Sequence, residues 1–302
     1  MTLVESPTAK PATTPASLAQ EVHSLFSLPD LVFRACKVMD TSTATAQDLV
    51  EVVQLDANLV ATVLRLANSA MYGQRGRVDT LTRAVALIGH RALRDLVLAA
   101  SAVKVFRDIP PEFVDMDTFW DNSTTCAVFA RLAASYLRMK DGDSLFLAGL
   151  LHGVGRLVFY VRRPAEYREV LRLAQADGLD LVEGERRVFG FSHAEVGAAL
   201  LESWGLPEKL HQSVRHQLAP DATPDFVREV AVIHLAAIQA AQLAPCLKTD
   251  MEPEPFTPDA QAANSMKLLG LSRATLEEIR LETLASGLEV LEIIHPGTSI
   301  IF

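Results

Sequence analysis

An all-α protein is what this sequence predicts, on three observations. Hydrophobic residues make up 49% of the chain and aromatic residues only 6%, with Ala and Leu dominant, a composition suited to close helix contact rather than to sheets. Apolar residues recur at three- and four-residue steps in segment after segment. The segments are separated by short punctuation, at Leu28-Pro29-Asp30, Ile109-Pro110-Pro111, Asp141-Gly142-Asp143, Gly205-Leu206-Pro207 and Ala219-Pro220, none long enough for a flexible interdomain linker. The expectation is a compact multi-helix bundle with a helical C-terminal extension. A charged fraction of 22% beside so much apolar surface excludes wholesale disorder.

Residues 1–17 hold Pro7, Pro11 and Pro15 among Thr, Ser and Ala and are expected to form a disordered tail. Helical periodicity starts at Leu18. After Gly89, Leu93, Leu96, Val97, Ala100 and Val103 define one buried face, with Arg91, Arg94 and Asp95 off it. Near residue 120, the stripe Trp120, Ser123, Ala127, Ala130, Ala134 and Leu137 is mostly small and predicts close helix approach. Ser192-His193-Ala194-Glu195 is a capping box that opens a helix, which Gly205 stops before Pro207 introduces the next. Asp250 to Pro258 reads as a surface loop followed by two helices. The expected division is 1–17 tail, 18–222 main domain, and 223–302 a helical region on its core.

The charge balance is 28 basic against 37 acidic residues, net −9, which repels nucleic acid and anionic membranes as a whole. No direct nucleic-acid binding is expected. No run approaches the ~18 apolar residues of a membrane span, and the N-terminus lacks a leader pattern, so neither membrane insertion nor export is expected. Cys36, Cys126 and Cys246 show no CxxC spacing, consistent with a reducing cytoplasm. Locally the balance changes. Between Arg65 and Asp108 eight basic residues face three acidic ones, and Arg75, Arg77, Arg83, Arg91 and Arg94 form a candidate patch for an acidic partner or a nucleotide phosphate. From Asp250 onward nine acidic residues face three basic ones, read as a solvated helix face.

Phosphate loops, GxSxG elbows and HExxH motifs are absent, which leaves histidine as the chemistry-bearing residue. Ala148, Leu151, His152, Gly155 and Phe159 share a helical face that directs His152 inward. His193 lies with Val196, Gly197 and Leu200, and His216 at the edge of the Leu210 and Val214 stripe. The expectation is that His152, His193 and His216 meet in one pocket. His90 and His234 have no matched partner and are assigned no chemistry.

Leu150-Leu151-His152-Gly153-Val154-Gly155 resembles the His-Asp-Ile-Gly step of the HD-superfamily phosphohydrolases. The ordered series Leu28-Pro29, Asp56-Ala57-Asn58-Leu59, Leu66-Ala67-Asn68-Ser69-Ala70-Met71-Tyr72, Val78 to Gly89, Phe119-Trp120-Asp121-Asn122-Ser123 and Ser192 to Gly197 resembles the HDOD branch. The resemblance runs from about residue 18 to 218. Position by position it implies a degenerate metal site. Asn122 stands where catalytic relatives have a histidine, Gly153 where they have the metal-binding aspartate, Gln217 where they have the second histidine of a pair begun by His216, and Ala237 where they have the closing aspartate.

A two-metal phosphohydrolase needs a carboxylate to balance two dications and prime the water between them. Without it no metal or other cofactor is expected, and Asn122 and Gln217 are expected to hydrogen-bond the remaining histidines. A His₃ zinc site at His152, His193 and His216 stays chemically permissible. The resemblance implies a non-catalytic regulatory protein of a bacterial signal-transduction network, acting through a protein partner that supplies the output. The alternatives are a phosphohydrolase or phosphodiesterase with a reduced metal set, and a sensor that binds a cyclic dinucleotide.

Overall fold

The computed structural model describes residues 13–22, 25–30, 34, 46–72, 78–106, 109, 111–223, 225–249 and 251–296. It is all-helical, with no strand among the described residues. The candidate arginines Arg75 and Arg77 lie outside that range, as do Cys36 and residues 1–12 of the expected tail.

Helix α1 (Pro15–Val22) starts three residues before the predicted boundary. Thr14 and Ser17 exchange backbone-to-side-chain hydrogen bonds at 2.9 and 3.1 Å, and Pro15 occupies the first turn, where its missing N–H costs nothing. The residues read as tail are thus partly a helix cap. Helices α2 (Ala46–Val53), α3 (Ala57–Asn68), α4 (Leu81–Ile88) and α5 (His90–Val105) follow. Asp56 caps α3 and Thr80 caps α4. The Asn68 side chain bonds the Val78 amide and carbonyl, both at 2.7 Å, and so clamps the chain where it enters α4. Helix α5 departs from the expected single buried face. It is enclosed by α2, α3, α4 and two helices further along the chain, so Asp95 is only 3% exposed and Arg94 turns back to bond it at 2.9 Å. Burial raises the Asp95 carboxyl to about 6.

Helix α6 (Met116–Tyr136) is the axis of the bundle, buried on nearly every side from Ser123 to Ala134. Against it lie α7 (Gly142–Leu151), α13 (Val227–Leu243) and α15 (Arg273–Ile294), so the region after residue 222 forms part of the same core. The intervening helices are α8 (Val154–Arg162), α9 (Pro164–Asp177), α10 (Leu181–Phe189), α11 (His193–Ser203) and α12 (Glu208–Arg215), with α14 (Ala260–Leu269) before α15. The Gly142–Arg162 and Val227–Cys246 stretches have the length and apolarity of membrane spans, contrary to the sequence expectation. Their most apolar windows are 83% and 61% buried inside the fold, as in core helices of a bundle.

Small residues set the closest crossings. A Cβ on Gly149 would stand 2.8 Å from the Ala127 Cα, and one on Gly155 only 1.9 Å from the His193 carbonyl oxygen and 2.6 Å from the Gly197 amide. Only glycine lets α8 and α11 approach backbone to backbone, and that approach brings His193 beside the His152–Gly153 turn.

Candidate functional site

The sequence puts Ala148 to Phe159 on one inward helical face, but the chain breaks at His152–Gly153, a turn between α7 and α8. The break aims the His152 ring into a cavity of about 650 Å³. His193 reaches it from the first turn of α11, Gln217 from the turn after α12, and His234, Ala237 and Ile238 from α13. Phe119 and Asn122 of α6 close another side. Arg156 and Arg186 also border it, with the helix-capping carboxylates Asp180 and Asp259.

Behind His193 lies the residue that sequence reasoning missed. Glu185 is fully buried; one oxygen accepts from the His193 amide at 2.8 Å and lies 2.7 Å from His193 Nδ1. Its other oxygen accepts from Arg156 Nε at 3.3 Å and the Tyr167 hydroxyl at 3.1 Å. Burial alone would raise this carboxyl. His193, Arg156 and the hydrogen bonds outweigh it and hold Glu185 at about 2. The signal was present in the sequence, since Leu181, Glu185, Val188 and Phe189 share one helical face, which puts a carboxylate on an apolar stripe.

Of the predicted pocket residues, Asn122, His152, Gly153, His193, Gln217 and Ala237 do line one cavity. His216 does not. It borders a neighbouring recess of about 360 Å³ with Ser192, Glu195 and Arg215, because α12 ends at Arg215 and the following turn carries His216 outward while Gln217 turns inward. The third imidazole is instead His234, which shares a helical face with Ala237 and Ile238 and to which the sequence alone assigns no chemistry. Gln217 fulfils the expected hydrogen-bonding role differently: its side-chain amide donates to the His152 carbonyl at 2.9 Å, and its own carbonyl lies 2.7 Å from His234 Nδ1.

The donor set does not fit a binuclear metal centre. Gly153 offers no side-chain oxygen, and a Cβ there would stand 3.3 Å from the Phe119 ring, close enough that the ring edge would have to shift by a few tenths of an ångström. Glu185 spends both oxygens on protein partners. Among the described residues no three His, Cys, Asp or Glu side chains are grouped to hold a metal ion.

The basic patch is not one continuous surface among the described residues. Arg94 is drawn inward by Asp95, and Arg83 faces Asp79 at 3.8 Å; Arg91 is exposed.

Comparison with known proteins places these features. Residues 25–220 match the HDOD domain family model. A protein of Treponema pallidum (strain Nichols), described only as uncharacterized, is 25% identical over 227 residues, covering 73% of this chain and 43% of its own. The chain therefore spans less than half the length of that curated relative. A crystal structure from Shewanella amazonensis, of a protein named as a candidate phosphohydrolase, superposes with a TM-score of 0.71 at 27% identity, over 92% of this chain and 98% of that one. An HDOD domain protein of unknown function from Geobacter sulfurreducens gives 0.67 at 23% identity, over 91% and 98%. A candidate signal transduction protein from Marinobacter aquaeolei gives 0.61 at 23%, over 95% and 67%.

Proposed function

The chain belongs to the HDOD domain family, and from that premise we propose that it is a non-catalytic cytoplasmic regulatory protein, acting by binding within a bacterial signalling network. The observation that carries this reading is Gly153 under the Phe119 ring. Hydrolysis by two metals needs anionic oxygen between the ions, and Gly153 has no side chain to supply it, with the Phe119 ring edge close against it. The signalling setting agrees with the name carried by the Marinobacter relative, and the output is assigned to a protein partner.

A second reading, a phosphohydrolase with a reduced metal set, is favoured by the name of the Shewanella protein and by the three imidazoles on the cavity. One experiment separates the two. Protein purified without chelator is analysed for bound metals and assayed on cyclic dinucleotides and nucleotide phosphoesters with added Mn²⁺ or Mg²⁺. The binding reading expects no turnover above blank. Stoichiometric metal, with turnover abolished by His152→Ala, overturns it. Recovery of a specific protein with the tagged chain from native cells then identifies the partner.

A further inference from the structure

The cavity histidines have their tautomers set from behind. His152 Nδ1 lies 2.7 Å from the Gly149 carbonyl oxygen, His234 Nδ1 2.7 Å from the Gln217 carbonyl oxygen, and His193 Nδ1 2.7 Å from the Glu185 carboxylate. Each of these oxygens only accepts, so each Nδ1 carries the proton and each neutral ring has a bare lone pair on Nε2. Burial disfavours the charged form of two of these rings, lowering His152 to about 4 and His193 below its ordinary value. His234 Nε2 is buried with no hydrogen-bond partner among the described residues, in a residue only 6% exposed. Gln217 gives its amide N–H to His152, which leaves its side-chain oxygen as a fourth acceptor. The inner wall is therefore rich in acceptors. A buried acceptor left unmet costs about 1–3 kcal/mol, and His234 Nε2 is such an acceptor, so this wall favours an occupant that brings donors to it.

We propose that this cavity binds a small neutral molecule presenting N–H donors, of the amino-substituted nitrogen-heterocycle class, and rejects bare anions. Of the two guanidinium groups on the lining, Arg156 is engaged by Glu185 and Arg186 shares the lining with Asp180 and Asp259, so at the imidazole wall phosphate or carboxylate would set lone pairs against lone pairs unless a buried ring took up a proton. An amino-heterocycle offers adjacent N–H groups to the imidazoles and flat apolar faces to Phe119, Leu218 and Ile238. The volume of about 650 Å³ suits a ligand of that size. Nδ1 donation to an oxygen also orients metal-ligating histidines, but these rings are not grouped to share one ion. The proposal deepens the binding reading and rests on it only for the cavity being a binding site.

Two measurements on the full chain test it. Long-range ¹H–¹⁵N spectra of the histidine side chains at pH 7.5 are expected to show Nδ1–H with unprotonated Nε2 for His152, His193 and His234; a proton on Nε2 in two of the three overturns the proposal. Calorimetry with adenine, cytosine and inorganic phosphate is expected to show binding of at least one amino-heterocycle and none of phosphate. His234→Phe, which keeps a ring but removes the acceptor, should weaken that binding at least tenfold. Ile238→Trp, which narrows the cavity without touching an imidazole, should also weaken it and serves if the first variant fails to fold. Phosphate bound in preference, no heterocycle bound, or stoichiometric Zn²⁺ held by the histidines each overturns the proposal. Phosphoester turnover would instead sink the non-catalytic reading and leave the tautomers standing.

Discussion

Glu185 and Arg280 are both sealed from solvent, at 0% and 1% exposure, yet the two buried charges act differently. Glu185 takes hydrogen bonds from α8, α9 and α11, and its chain of contacts ends on the His193 ring, which faces the cavity. Arg280 donates to the side-chain oxygens of Gln239 and Gln242 on α13 and to the Glu254 carbonyl at 2.7 Å, with Glu277 3.1 Å away and the Phe256 ring nearby. Its contacts end on the chain itself and bind the proline-rich 251–258 stretch between the last helices and α13. A buried charge is thus no sign of chemistry on its own. What matters is whether its hydrogen bonds close within the fold or end on a ring that faces a space.

The comparison is broken most severely on the cavity side by Gly155→Ala. Its Cβ meets backbone atoms of α11 that cannot yield, so the cost should exceed the roughly 1–3 kcal/mol of ordinary overpacking. The expected outcome is no cooperative unfolding transition, read by circular dichroism; a native-like melt would refute the backbone-on-backbone crossing.

Removing each charge comes next. Glu185→Leu leaves the Arg156 guanidinium, the Tyr167 hydroxyl and the His193 ring without their shared partner and should cost about 3–5 kcal/mol in urea unfolding. It should also free the His193 tautomer in the NMR spectrum. Arg280→Met orphans neutral acceptors and the half-exposed Glu277 carboxylate, which water can solvate, and should cost about 2–3 kcal/mol while leaving all three histidine tautomers unchanged. Equal effects of both changes on the histidine spectra would erase the distinction between the two networks.

A smaller effect concerns pH. Glu185 at about 2 and His152 at about 4 both bind protons less readily in the fold than in the unfolded chain. Their contributions are therefore lost as pH falls, for His152 between about 6.5 and 4 and for Glu185 between about 4.5 and 2. Asp95, raised to about 6, has the opposite sign and costs stability as pH rises from about 4 to 6. Asp95→Asn should thus steepen the rise of Tm across pH 4–6. Superimposable Tm-against-pH curves for variant and parent would count against the burial of that carboxyl.

The smallest change is Gly153→Ala, expected to cost less than about 1 kcal/mol because the Phe119 ring edge can shift by a few tenths of an ångström. Gly153→Asp alone should recover no metal, because the cavity imidazoles are not grouped to share an ion, and metal uptake by that single variant would refute this.

Periodicity and caps are local properties, and they were legible. The helical class, the Ser192–Glu195 cap and the inward turn of His152 and His193 all follow from residues within one or two turns of each other. The Thr14-Pro15-Ala16-Ser17 cap was equally local and was obscured by its prolines. The break at His152–Gly153 was not read, because apolar periodicity continues across it.

By itself, then, the sequence determined the bundle, the family and the glycine that follows His152. Only the tertiary structure decided that His234 rather than His216 completes the cavity, that Glu185 stands behind His193, and that the Phe119 ring edge lies close to Gly153. Each of those depends on which helices cross and how closely, a contact between residues far apart in sequence that no single helix encodes.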